Sequence, residues 1–154
     1  MHNSVLFFLE NTATYYGEKT AIKDGGKILS FNELVLAAKR LGSLIARQYQ
    51  TQNQPIAVFL PKSADCIVAF MAILYSGNFY VPIDENLPAA RISMIINNLQ
   101  PHLIVTSDLG VKTLLDIGIR SEQLVIVANA YDPASSVDEN TLDEIKRHTI
   151  DTDP

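Results

Sequence analysis

Residues 55–84, PIAVFLPKSADCIVAFMAILYSGNFYVPID, hold the strand–helix–strand alternation on which the fold turns. Ile56 to Leu60 is a short apolar run, Ser63 to Ser76 is long and apolar enough for a buried helix, and Phe79 to Ile83 is again a short apolar run. The alternation continues outward. Pro88 to Leu99 predicts a helix, Leu103 to Thr106 a strand, Leu109 to Ile117 a helix and Leu124 to Ala128 a strand, with Gly77, Pro101 and Gly118 as breakers near the helix ends. Near-continuous apolar strands joined by helices predict a parallel sheet of about four strands, covered on both faces and connected by right-handed crossovers. The helix from Ala64 to Leu74 is apolar almost all round and is expected to be the most buried of the set.

Upstream of this α/β layer the pattern is different. Asn3 or Ser4 can cap a first helix whose apolar residues Val5, Phe8, Leu9 and Ala13 recur at helical spacing, with Gly17 as its stop. Thr20 to Lys23 and Lys27 to Ser30 flank Asp24-Gly25-Gly26 and predict a β-hairpin. Ser30-Phe31-Asn32-Glu33 then spells a capping box, in which the serine hydroxyl and the glutamate carboxylate each satisfy the other's backbone amide. Leu34, Ala38, Leu41 and Ile45 extend it as one apolar stripe, with Lys39, Arg40 and Arg47 turned to water. Glu33 is thereby assigned to capping rather than catalysis.

Charge divides the chain at the same place as pattern. Residues 1–128 hold ten acids and ten bases, whereas residues 129–154 hold seven acids and only Lys146 and Arg147. The expected organisation is an α/β portion over 1–128 followed by an acidic loop and short helix over 129–154, with Thr141-Leu142-Asp143-Glu144 as a second capping box and a helix ending near His148. A near-neutral body offers no basic stripe for a phosphate backbone, which argues against nucleic acid as a partner. Cys66, the only cysteine, excludes an intramolecular disulfide and reads as a buried, inert thiol. No basic leader opens the chain and no apolar run approaches the ~20 residues of a membrane span, so a soluble cytoplasmic protein with no membrane partner is expected.

Two stretches carry a family resemblance. Leu29-Ser30-Phe31-Asn32-Glu33-Leu34 resembles the first core motif of adenylation domains, and Leu74-Tyr75-Ser76-Gly77-Asn78-Phe79-Tyr80-Val81-Pro82-Ile83-Asp84 resembles the second, with Pro88 and Arg91-Ile92 following at the family's spacing. The first is little more than a capped helix. The second is specific over its eleven residues. The chain is similar throughout to the N-terminal part of nonribosomal peptide synthetase adenylation domains and D-alanine carrier-protein ligases.

That resemblance implies the N-terminal part of an adenylation-domain fold, in an enzyme that uses ATP and Mg to form an acyl-adenylate from an amino acid or other carboxylate and passes it to a carrier-protein thiol. It also implies that the Ser/Thr/Gly-rich phosphate loop would follow a stretch like Asp151 to Pro154. The seven glycines here form no GxxxxGK or GxGxxG pattern, so no catalytic, cofactor-binding or metal-binding residue is assigned within the chain. Alone, the fragment is expected to be inactive and to bind neither ATP nor Mg tightly. Its expected partners are the remainder of the adenylation domain and a carrier protein, and a sheet that normally continues is expected to make the isolated chain self-associate. The alternatives are a stand-alone small-molecule or nucleotide module, and a non-enzymatic interaction module docking through its acidic tail.

The motif residues have plain structural readings. Gly77 is expected to end a helix with positive φ, Pro82 to close a strand, Asp84 to form a turn or cap, Tyr80 to pack in the core, with a wall of the substrate pocket as the lesser alternative, and Arg91 to pair with a surface acid. His2, His102 and His148 are scattered and have no i, i+4 spacing for a metal. The loops after Leu60, Ile83 and Thr106 lie at strand carboxyl ends, where open α/β sheets bind ligands.

Overall fold

The computed structural model describes residues 4–149. Helix α1 (Val5–Tyr16) leads into the antiparallel hairpin β1 (Thr20–Asp24) and β2 (Lys27–Ser30), then α2 (Phe31–Gln48). The alternating layer follows as β3 (Pro55–Phe59), α3 (Ala64–Tyr75), β4 (Phe79–Pro82), α4 (Ala89–Leu99), β5 (Ile104–Thr106), α5 (Asp108–Asp116) and β6 (Leu124–Ile126), and α6 (Glu139–His148) is the last described element. The four strands of the layer form one parallel sheet in the order β4-β3-β5-β6. The chain steps from β3 out to β4, then crosses back over β3 to reach β5. That reversal puts the crossover helices on opposite faces.

Alternation along β3 shows the two layers. Ile56 and Val58 join the core beneath α2 and α3, with Leu41, Ile45, Val68 and Ala72, whereas Ala57 and Phe59 face Ile92 and Ile96 of α4 and Leu114 of α5. In register with them, Val105 points to the first core and Ile104 to the second. Side chains alternate across a pleated strand, so a strand apolar at every position is one covered twice.

Helix α2 keeps its predicted box: Glu33 N–H donates to Ser30 Oγ (3.2 Å) and Ser30 N–H to Glu33 Oε2 (2.8 Å). Its stripe Leu34, Ala38, Leu41 and Ile45 is buried as expected. Gly42 lets α3 approach closely, since a Cβ there would stand 2.9 Å from both Ala72 O and Tyr75 Cβ. Gly77 ends the α3 turn at φ +74°, the left-handed conformation foreseen for it. Gln100, at φ +51°, leaves the right-handed region just before Pro101, which disfavours a helical predecessor.

Four local expectations are corrected. In α1 the buried residue is Leu6, set against Ala38, Tyr75 and Leu142, with Leu9 half-buried on the main core, while Val5 and Phe8 are 52% and 55% exposed. Residues 6, 9 and 13 form a helical stripe as good as the expected 5, 8, 9 and 13, so periodicity alone could not choose Leu6 over Val5 and Phe8. Strand β6 stops at Ile126, because Val127–Ala130 turns as a 3-10 helix that tucks Val127 and Ala130 into the core. Helix α6 is capped by Asp138, whose Oδ1 accepts from Thr141 N–H (3.1 Å); Thr141 is already inside the helix and cannot head a capping box. Lys39 is not turned to water, since its side chain is 20% exposed and pairs with Glu139 of α6.

The free edge at β4 is blunted. Phe79 N–H donates inward to Gln54 O (3.2 Å) and Ile83 N–H to Val58 O (2.9 Å), so Tyr80 and Pro82 occupy the outward positions. Pro82 has no N–H to offer an incoming strand. Its place at the end of a strand is the one foreseen; that the strand is an edge comes from the sheet order.

Candidate functional site

A cleft of about 930 Å³ opens at the carboxyl ends of β3 and β4, walled on one side by the β1–β2 hairpin. Its floor is apolar, with Leu60, Cys66, Phe70 and Ile83, and its rim carries Lys23, Lys62, Asp84 and Glu85. Two of the three loops singled out from sequence, those after Leu60 and Ile83, meet here. The loop after Thr106 does not line it.

The hairpin wall is held by contacts across long sequence separations. Asp24 Oδ2 accepts from Ala64 N–H (2.9 Å), and Ser63 Oγ accepts from Cys66 N–H (3.3 Å), so first-turn amides of α3 already have acceptors. Lys27 Nζ meets Asp65 Oδ1 at 2.5 Å, Tyr131 O–H donates to the same oxygen at 2.7 Å, and the lysine ammonium sits 3.6 Å from the Tyr131 ring centroid. Burial, then the hydrogen bond and charge of Asp65, push the Tyr131 hydroxyl pKa up. This interlock was not visible in sequence. Its hydrogen-bonded partners are 38 to 66 residues apart, and an Asp before Gly-Gly signals a turn without showing where its carboxylate points.

The second motif supplies the opposite wall. Asp84 Oδ1 accepts from the Asn86 backbone N–H (2.9 Å) and side-chain amide (3.0 Å), the turn role expected of it, and these bonds hold its carboxyl below the usual range. Tyr80 corrects its expectation. It stands at the sheet edge, 37% exposed, with its ring stacked on Phe70 (centroids 4.1 Å apart, planes 13° apart). Burial pushes the Cys66 thiol pKa up, so the side chain stays protonated at neutral pH as a small apolar floor group.

Other residues singled out from sequence lie elsewhere. Among the described residues Arg91 forms no ion pair, and its guanidinium lies 3.5 Å from Met94 Sδ instead of reaching an acid. His102 stacks on Tyr49 (4.9 Å), His148 ends α6, and His2 lies outside the described residues. Among the described residues no group of three or more His, Cys, Asp and Glu is placed to hold a metal, and no helix is long and apolar enough to cross a membrane. What the cleft offers is shape and apolar surface.

Comparison with known proteins bears on what such a scaffold belongs to. The model of the AMP-binding enzyme family matches residues 9–153. The hybrid PKS-NRPS synthetase apdA of Emericella nidulans is 36% identical over 90 residues, covering 58% of this chain and 2% of that protein. In fold, the chain is similar to the nonribosomal peptide synthetase FmoA3 in its α-methyl-L-serine-AMP bound form (TM-score 0.74, 19% identity, 82% of this chain and 14% of that one). It is also similar to a benzoate CoA ligase from Burkholderia xenovorans LB400 (TM-score 0.70, 20% identity, 89% and 27%). The chain therefore spans only a small part of the proteins it matches. The motif at residues 74–84, the doubly wound sheet and a family match over nearly the whole length converge on one conclusion: the chain belongs to the AMP-binding enzyme family.

Proposed function

We propose that this chain is the N-terminal scaffold of an ATP-dependent ligase that adenylates an amino acid and hands it to a carrier-protein thiol. The single observation that carries the reading is the family match over residues 9–153, within which Tyr80-Val81-Pro82-Ile83-Asp84 has the wording of amino-acid activators. A fold shared with a benzoate CoA ligase leaves aryl acids as the competing substrate class. In the proposed reaction a carboxylate oxygen attacks the α-phosphorus of ATP, pyrophosphate leaves, and a thiol then displaces AMP from the acyl-adenylate. Mg would offset charge on the phosphates.

This chain's own contribution is structural. The hairpin, α3 and β4 fix the cleft walls, and the apolar floor suits a surface on which the following part of the same ligase rests. Among the described residues no nucleophile–base pair lines the cleft, and Asp24 and Ser63 already cap the α3 N-terminus. By itself the chain is inactive in this account, and its setting is a larger cytoplasmic synthetase. The test is amino-acid-dependent exchange of pyrophosphate into ATP, run with the full polypeptide that carries this sequence and with the chain alone. Exchange by the first and none by the second supports the proposal. Exchange driven only by aryl acids would move the enzyme to the other substrate class.

A further inference from the structure

Where α1, α2, α3 and α6 meet, four charges and one buried tyrosine share a cluster. Glu10 of α1 accepts from Tyr75 O–H of α3 (3.1 Å) through Oε1 and from Lys146 of α6 through Oε2. Lys39 of α2 lies 3.0 Å from Glu139 of α6 and 3.9 Å from Glu10. Glu10 and Lys39 are well shielded, at 27% and 20% side-chain exposure, so leaving either without a counter-ion would be costly.

The charges divide in an informative way. Helix α6 brings one anion, Glu139, and one cation, Lys146. Removing it leaves one anion, Glu10, and one cation, Lys39, already close together. Neither half strands a charge. The rest of the α6 attachment is slight: Leu142 and Ile145 are its buried side chains, and Asp138 N–H donates to Ser43 Oγ (2.9 Å). A ten-residue helix does not persist alone in water, so release and melting of α6 are one event.

We infer that α6 is a detachable clasp. It opens as a unit while the rest of the fold stays closed, Lys39 moves from Glu139 to Glu10 as it leaves, and α1 therefore remains docked. Opening uncovers the face made by Leu6, Ala38 and Tyr75. The inference is independent of the ligase reading, because it concerns how this chain opens and not what it binds.

The test is native-state hydrogen exchange on the full chain, with β3 amides as the internal reference. Ile145 lies by Gly77, whereas the α6 side chains set against α1 are Leu142, beside Leu6, and Lys146, on Glu10, so Ile145→Ala weakens the clasp and leaves those two contacts in place. It is expected to raise exchange across α6 at least ~10-fold, by the same factor along the helix, with α1 changed less than about twofold. Adding Lys39→Gln removes the substitute counter-ion, and α1 exchange should then rise together with that of α6. Adding Lys39→Arg instead, which keeps the cation, should restore the separation. If α1 follows α6 with Lys39 intact, the inference is overturned. A gradient of exchange falling inward from His148 would mean end fraying, and independence of α1 and α6 in the Lys39→Gln variant would remove the role of Lys39; either also overturns it.

Discussion

The Asp24 carboxylate accepts the Ala64 amide hydrogen at 2.9 Å, joining the hairpin turn to the first turn of a helix forty residues further along the chain. One side chain thus serves as a helix cap from outside the helix and as the fastening of a cleft wall. Replacing Asp24 by Ala should lower the free energy of unfolding by about 0.5–2 kcal/mol, the range for losing an N-terminal cap. Asn at the same position should lower it less, because its amide oxygen still accepts. Urea unfolding checks this: the midpoint should fall with the slope unchanged.

Two tyrosines should make stability fall on the alkaline side. The Tyr131 and Tyr75 hydroxyls are both pushed up, chiefly by burial and then by Asp65 and Glu10 respectively. A group whose native pKa lies above its unfolded value, about 10 for tyrosine, contributes stability that is complete below that pH and is lost as the unfolded form begins to give up its proton. Unfolding free energy should therefore be insensitive to these groups from pH 7 to about 9 and fall above about 10. Tyr131→Phe should leave a shallower alkaline limb, set by Tyr75. An unchanged limb would mean Tyr131 ionises as freely in the native state as in the unfolded one.

Gly77→Ala combines two penalties. The residue sits at φ +74°, and an added Cβ would stand 2.7 Å from Ile145 Cγ2. Left-handed backbone alone costs a non-glycine residue about 1–2 kcal/mol, so urea unfolding should give a free energy lower by at least that much. Gly25, at φ +53° with open space around it, should show the backbone term without the steric one.

Self-association of the isolated chain should run through α1 and not through the sheet edge. Val5, Phe8, Tyr15 and Tyr16 leave a largely apolar surface exposed, with the Lys19 ammonium over the Tyr16 ring at its end, whereas Pro82 blunts the β4 edge. Sedimentation at rising concentration should show a mass above the monomer that Phe8→Ser reduces. A monomer at every concentration contradicts this.

What could be read from sequence was what depends on neighbours. The covered sheet followed from runs such as Ile56 to Leu60, the α2 start from Ser30 and Glu33, and the α3 stop from Gly77, because period, capping and positive φ are local properties. What could not be read depends on distant partners. Leu6 rather than Phe8 faces inward because α6, more than a hundred residues away, supplies Leu142. Lys39 is held because Glu139 arrives beside it. The hairpin wall of the cleft is held where Asp24 meets the α3 N-terminus and Lys27, Asp65 and Tyr131 converge, and no spacing rule links those positions. The family could be read from residues 74–84, but the chemistry could not, since the residues given a structural role here are scaffold.

The most direct measurement is pyrophosphate exchange into ATP, amino acid by amino acid, with the full polypeptide containing this sequence. Exchange well above background is expected with one or a few amino acids, and none with the isolated chain. Absence of exchange with every amino acid, while an aryl or fatty acid supports it, would contradict amino-acid activation and leave the adenylating scaffold in place. Absence of exchange with any carboxylate would contradict the ligase reading itself.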